Sequence, residues 1–328
     1  MNPVGESPTA EDYRDFGERQ AGESPCLVTW ALGVADDVEV LALLDELPPG
    51  KRQPNLMFAA ARWHGALPGP YEGLRTLLLR RWDEVRGTVL TRATQTNEAG
   101  RCATLLPVLA GLPGPLALLE VGCSAGLCLF PDRYSYRYAT SDGPVALDPP
   151  GGPSPVVLAC TVHGDAPLPR DLPEVVWRGG IDLSPLDVRD EDAMRWLKTL
   201  VWPEQENRRA RLAAAVELAR DQRPTLVRGD LLEELPRLVG QVPDDATLVV
   251  FHSAVAAYLS SPDRWRLTEM LAGLRGHWLS NEGPSVLPGP ATPGGRPDPS
   301  VGAAPFLLAL DGRPVAWTHG HGAALHWI

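Results

Sequence analysis

The chain has 328 residues with a net charge of −11, is 44% hydrophobic and contains five cysteines. That length allows two compact units, since single cores rarely grow beyond about 250–300 residues. So acidic an average surface repels phosphate backbones and argues against nucleic acid as a partner, and no apolar run is long enough to span a bilayer.

The polar start "MNPVGESPTAEDYRDFGERQ" has no hydrophobic signal region, so a cytoplasmic protein is expected, without a disulfide framework. The cysteines Cys26, Cys102, Cys123, Cys128 and Cys160 lack the paired spacing of a zinc or redox motif, and buried thiols are expected.

Residues 1–112 read as an all-helical region or lid. Ser24-Pro25 gives an N-cap followed by proline at the first helical position. Val38, Leu41, Leu44 and Leu47 recur at helical spacing, and 54–66 and 71–90 continue the pattern. Asn97 is expected to cap a helix running through Cys102 and Leu109, which "GLPGP" then ends.

From Leu116 the texture changes to short apolar runs at 116–121, 175–181, 225–227, 247–251 and 276–279. Continuous rather than alternating hydrophobicity suits strands buried on both faces, and so a parallel sheet. Helices are predicted at 192–200, 203–221 and 262–274 between these runs, and residues 131–174 read as an insertion with a strand at 155–162. A Pro/Gly-rich stretch follows, and Asp311-Gly312 between two apolar runs predicts a C-terminal antiparallel hairpin. The fold class is therefore α/β over 113–328. A mostly parallel sheet ending in such a hairpin resembles the Rossmann-like core of S-adenosylmethionine-dependent methyltransferases.

"LLEVGCSAGLCLF", residues 118–130, supports two chemistries. Gly122-Cys123-Ser124-Ala125-Gly126 is G-x-S-x-G, a serine hydrolase elbow with Ser124 as nucleophile and His319 or His321 as the downstream histidine. No oxyanion segment precedes it, however, and the region before it is helical. In the other reading, Glu120, Gly122, Ser124 and Gly126 form a cofactor turn at the start of a helix.

Acids after later strands favour the second reading. Asp182 could take ribose hydroxyls, although it lies much farther on than the about 20 residues usual in dinucleotide folds. Asp230 and Leu231 could meet an adenine ring, and Ser253 completes the cofactor set. His252, Tyr258 and Glu282, at or beyond strand ends, are the candidate catalytic groups. Gln95, Asn97, Glu98, Arg101 and Tyr134 are candidate substrate contacts, and no metal is required.

The segments "RATQTNEAGRCATLLPVL", "LLEVGCSAGLCLFPDRYSYRY", "RGGIDLSPLDV", "VWPEQENRRARLAAA" and "VVFHSAVAAYLS" together resemble an uncharacterised bacterial family, the domain of unknown function twenty-three thirty-two. The resemblance implies a helical N-terminal region joined to a methyltransferase-like core. The expected function is methyl transfer from S-adenosylmethionine to a small molecule. A non-catalytic protein binding that cofactor or a nucleotide is the alternative, and a hydrolase using Ser124 is a third.

Overall fold

The computed structural model describes residues 7–288, 301–302 and 304–328, so most of the Pro/Gly-rich stretch lies outside the described residues. The helices are α1 (Pro8–Asp15), α2 (Pro25–Ala35), α3 (Val38–Asp45), α4 (Pro54–Trp63), α5 (Tyr71–Thr91), α6 (Cys102–Leu109), α7 (Glu191–Leu200), α8 (Glu206–Arg220), α9 (Leu231–Val239) and α10 (Ser261–Ala272). The strands are β1 (Leu116–Val121), β2 (Ser135–Thr140), β3 (Gly143–Leu147), β4 (Val157–His163), β5 (Val175–Asp182), β6 (Thr225–Arg228), β7 (Thr247–Ser253), β8 (His277–Glu282), β9 (Pro305–Leu310), β10 (Arg313–His319) and β11 (Ala324–Trp327).

Two compact units form. One comprises the chain through Thr96 together with Glu191–Ala210, and the other comprises Asn97–Asp190 and Arg211–Ile328. The division falls before α6 rather than after it, because α6 is buried along its whole length and packs on β4. Residues from 191 to 210, read from sequence as part of the α/β core, belong to the helical unit.

In the helical unit the starts obey local chemistry. Ser24 Oγ accepts from Leu27 N at the head of α2, with Pro25 in the first turn. Phe58 of α4 lies at the centre of an aromatic cluster, 5.7 Å from Tyr13 and 5.6 Å from Trp30 between ring centroids. Asp37 caps α3 through Glu39 N and Val40 N and also accepts from Tyr71 Oη at 2.9 Å and Arg75 Nε at 2.6 Å. It thereby fastens α3 to α5.

The second unit is one eleven-stranded sheet in the order β3-β2-β4-β11-β10-β9-β8-β7-β1-β5-β6. β1 pairs in parallel with β5 and β7, β5 with β6, and β7 with β8. Then the pairs β8–β9, β9–β10 and β10–β11 are antiparallel. The hairpin at Asp311-Gly312 forms as its sequence requires, with φ of 50° and 75°. All six residues of β1 are buried, as a central parallel strand demands.

The 131–174 segment supplies three strands, not one, and the expected strand at 155–162 is β4. β11 joins this trio to the rest by pairing with β4 in parallel. No described helix is long and apolar enough to cross a membrane.

Burial alone would raise the Asp37 carboxyl, but the hydrogen bonds from Val40 N, Tyr71 and Arg75 hold it below the ordinary carboxylate range. A depressed folded pKa gives stability that is present above the unfolded value and is lost as pH falls through the folded one. Asp37→Ala should therefore cost about 1–2 kcal/mol at neutral pH. In denaturant titrations the gap to wild type should close as pH drops below about 4.

Candidate functional site

The central strand β1 ends in a turn that uses left-handed backbone three times, at Gly122 (φ 71°), Ser124 (φ 49°) and Gly126 (φ 70°). Gly122 N and Cys123 N both donate to Ile181 O, at 2.7 and 3.1 Å. Ser124 N donates to Asp182 Oδ2 at 2.8 Å, while Asp182 Oδ1 accepts from Ser184 N at 2.8 Å. The Asp182 carbonyl accepts from Gly229 N at 3.0 Å. The exits of β1, β5 and β6 are therefore hydrogen-bonded to one another.

No helix follows the turn. Two short 3₁₀ turns, Leu127–Leu129 and Pro131–Arg133, lead directly to β2. Tyr134 Oη donates to Leu127 O at 2.5 Å and Tyr136 Oη to Pro131 O at 2.6 Å, so the tyrosines satisfy carbonyls that a helix would pair internally. Tyr134, read as a pocket wall, is instead fully buried. Asn97 does not cap α6. Its amide donates to Cys123 O at 2.8 Å and its Oδ1 accepts from Leu127 N at 2.9 Å, bracing the turn from both sides. Glu98 caps the 3₁₀ turn Ala99–Arg101 that leads into α6, accepting from Gly100 N, and also accepts from Arg211 Nη2 at 2.9 Å.

Two buried acids behave in opposite ways. Glu120 at the end of β1 is buried, and its Oε2 has no hydrogen-bond partner. Burial pushes its pKa well above the ordinary value, with further upward contributions from Cys128; the positive charge of Arg101 only partly opposes this. Desolvation there disfavours the charged form of the carboxyl. Glu282 at the end of β8 is equally buried, but its Oε1 accepts from His252 Nδ1 at 2.7 Å, Val255 N at 2.9 Å and Ala256 N at 3.1 Å. Burial alone would raise Glu282; these donors outweigh it and hold the group below the ordinary value.

His252 is wholly buried in the same network. Trp278 Nε1 donates to His252 Nε2 at 3.0 Å, which leaves the proton on Nδ1 facing Glu282. Both ring nitrogens are therefore engaged. Asn281 donates to Ser253 Oγ at 3.1 Å and accepts from Thr318 Oγ1 at 2.7 Å, and Arg101 donates to Ser253 O and Gly320 O. Tyr258 stands 79% exposed on a 3₁₀ turn beyond β7.

Glu282 also fixes the loop that covers the turn. Ala254 (φ 58°) donates to Asn281 O, and the neighbouring Val255 lies against Gly122 so closely that a Cβ there would sit 2.3 Å from Val255 Cγ2. Leu129 and Leu226 side chains approach Gly126 in the same manner. Asp230, exposed, caps α9 by accepting from Leu232 N at 2.8 Å, and Leu231 opens that helix half-buried.

The structure thus gathers Ser124, Asp182 and Asn97 at one turn, with Asp230 at the adjoining strand exit, and places His252, Ser253 and Glu282 on the neighbouring pair of strands. Gln95 lies in the helical unit. Val255, Trp278 and Asn281 were not singled out from sequence, because apolar and amide residues in strands and loops carry no chemical signature. Ser124 does adopt a positive φ, the elbow that a hydrolase needs, but its buried Oγ has no hydrogen-bond partner to serve as a base.

These features define an α/β protein with a large mixed sheet and a helical N-terminal region. Residues 62–327 match the profile described as "Uncharacterized protein conserved in bacteria (DUF2332)", and the chain belongs to that family. No curated protein matches it.

The Val255 contact gives Gly122→Ala two costs, a left-handed alanine and a clash, together about 2–4 kcal/mol. Adding Val255→Ala should recover the clash component, so that the double variant is more stable than the sum of the single effects predicts. Strict additivity in chemical denaturation would show that the two side chains do not meet.

Proposed function

We propose that the exits of β1, β5 and β6 bind S-adenosylmethionine in a Rossmann-like site, and that the protein transfers its methyl group to a small-molecule acceptor. The observation that carries this reading is the clamp of Ser124 N on Asp182 Oδ2 beside the buried Glu120, whose Oε2 has no hydrogen-bond partner. In the order β6-β5-β1-β7-β8 the chain reverses direction across the sheet between β1 and β7, the switch point at which open α/β sheets take ligands.

The fit to the cofactor follows from what the turn lacks and what surrounds it. A pyrophosphate-bearing dinucleotide is favoured by a helix N-terminus, and none follows this turn. Acids at the exits of three adjacent strands would repel phosphate further. A nucleoside with no phosphate and a positive sulfonium suits the same surroundings. Asp182 and Asp230 each keep acceptor capacity beyond their backbone bonds, enough for ribose hydroxyls and an adenine amino group.

When bound, the cofactor supplies an activated methyl group for in-line displacement. Glu120 would hold a negative charge near the cation, giving up its proton on binding. Asn97 and Asp182 would keep the turn rigid, which serves alignment. His252, with both nitrogens committed, positions the β7 exit through Glu282 and is not a free base. The acceptor in this reading is a group nucleophilic without help from His252. The same commitment favours, as the second reading, cofactor binding without turnover. The acidic chain is matched to a small acceptor rather than to nucleic acid.

Calorimetric titration with S-adenosylmethionine and with S-adenosylhomocysteine tests the proposal. Affinity for the sulfonium should rise as pH increases toward the raised Glu120 value and level off above it, whereas affinity for the neutral thioether should stay flat. Glu120→Gln should lose sulfonium affinity while gaining thermal stability near neutral pH. A carboxyl with a raised folded pKa destabilises the fold as pH climbs past the unfolded value near 4.3, and glutamine removes that penalty. No binding of either compound at neutral pH would overturn the reading.

A further inference from the structure

A cleft of about 330 Å³ opens in the α/β unit beside Ala125 of the turn, bounded by the loop after β5 and by the end of α8 with the segment leading into β6. None of the residues assigned to the cofactor lines it. Its walls are apolar, with Leu186, Pro224 and Leu226 among them, while Arg189, Gln222, Arg223 and Asp187 supply polar groups.

The charges do not cancel. Asp187 spends Oδ1 on Arg189 N at 2.9 Å, and Arg189 Nη2 donates to Arg220 O at 3.1 Å, at the last turn of α8. The Arg189 guanidinium therefore answers the negative end of the helix dipole, while its backbone N–H, not its charge, meets the Asp187 carboxylate. Arg223, exposed, has no hydrogen-bond or ion-pair partner among the described residues and contributes a second positive charge. A guanidinium with an unused planar set of donors beside an apolar wall matches a carboxylate or phosphate on a compact apolar body. The volume is at the small end of ligand pockets, the size of a single-ring compound.

We infer that this cleft binds a small organic anion, a carboxylate or phosphate monoester on an apolar ring or chain, with Arg223 as the headgroup contact. The wall is joined to the turn, since Leu186 N donates to Ser124 O at 3.0 Å, so occupation of the cleft bears on the β1 exit. The inference stands independently of the cofactor reading.

Calorimetric titration of the full chain with benzoate, phenyl phosphate and the neutral benzamide, at low salt, tests it. Benzoate or phenyl phosphate should bind, the tighter of the two identifying the headgroup. Benzamide, and either anion on Arg223→Ala, should bind about tenfold more weakly or worse. Arg223→Lys should restore part of the affinity, because charge returns without the bidentate fork. Far-ultraviolet circular dichroism and an unchanged melting temperature establish that Arg223→Ala is folded. Benzamide binding as well as benzoate, an unaltered affinity in Arg223→Ala, or no heat from either anion at millimolar concentration would overturn it.

Discussion

One residue, Asp182, joins the exits of three strands through its carboxylate and its main-chain carbonyl. Asp182 accepts from Ser124 N and Ser184 N with its two oxygens, while its carbonyl accepts from Gly229 N. β1 is buried on both faces, so its chain leaves the sheet with no water to satisfy the turn's N–H groups. An orphaned buried donor there would cost about 1–3 kcal/mol, and the left-handed turn adds its own strain. Asp182 offsets the first and, with Asn97, over-determines the second.

The paired behaviour of Glu120 and Glu282 shows that burial does not by itself decide a carboxyl's charge. Both lie at strand ends with little solvent. Each has one oxygen without a hydrogen-bond partner, but three donors converge on the other oxygen of Glu282 and lower its pKa, whereas at Glu120 desolvation prevails and raises it. One is committed to holding the β7 loop over Gly122. The other has no such network.

Much of the sheet was legible because burial on both faces leaves an unambiguous apolar run, as at β1 and β7, and because Asp-Gly specifies its own turn. Ser24-Pro25 was equally plain, since cap chemistry is local. The helix expected after Gly126 failed for a non-local reason. Tyr134 and Tyr136 lie beyond the turn, and only the folded chain shows their hydroxyls on the carbonyls of 127 and 131. Asn97 misled in the same way, for an amide that looks like a cap braces a turn formed by residues far along the chain. Asp230 combined both possibilities, because a residue that caps a helix after a strand also stands where ligands bind. The cleft by Arg223 left no mark in the sequence, since its members come from three separate segments.

β11 is last in chain order among the described strands, yet it lies between β10 and β4. Every strand on its far side is synthesised long before it. Until β11 is made, β3, β2 and β4 can pair only with one another, and β4 keeps an open edge. Such a topology has many contacts between distant residues, which slows folding, and a waiting edge is an invitation to pair with another chain. The order of synthesis and the order of the sheet are in conflict at this one strand.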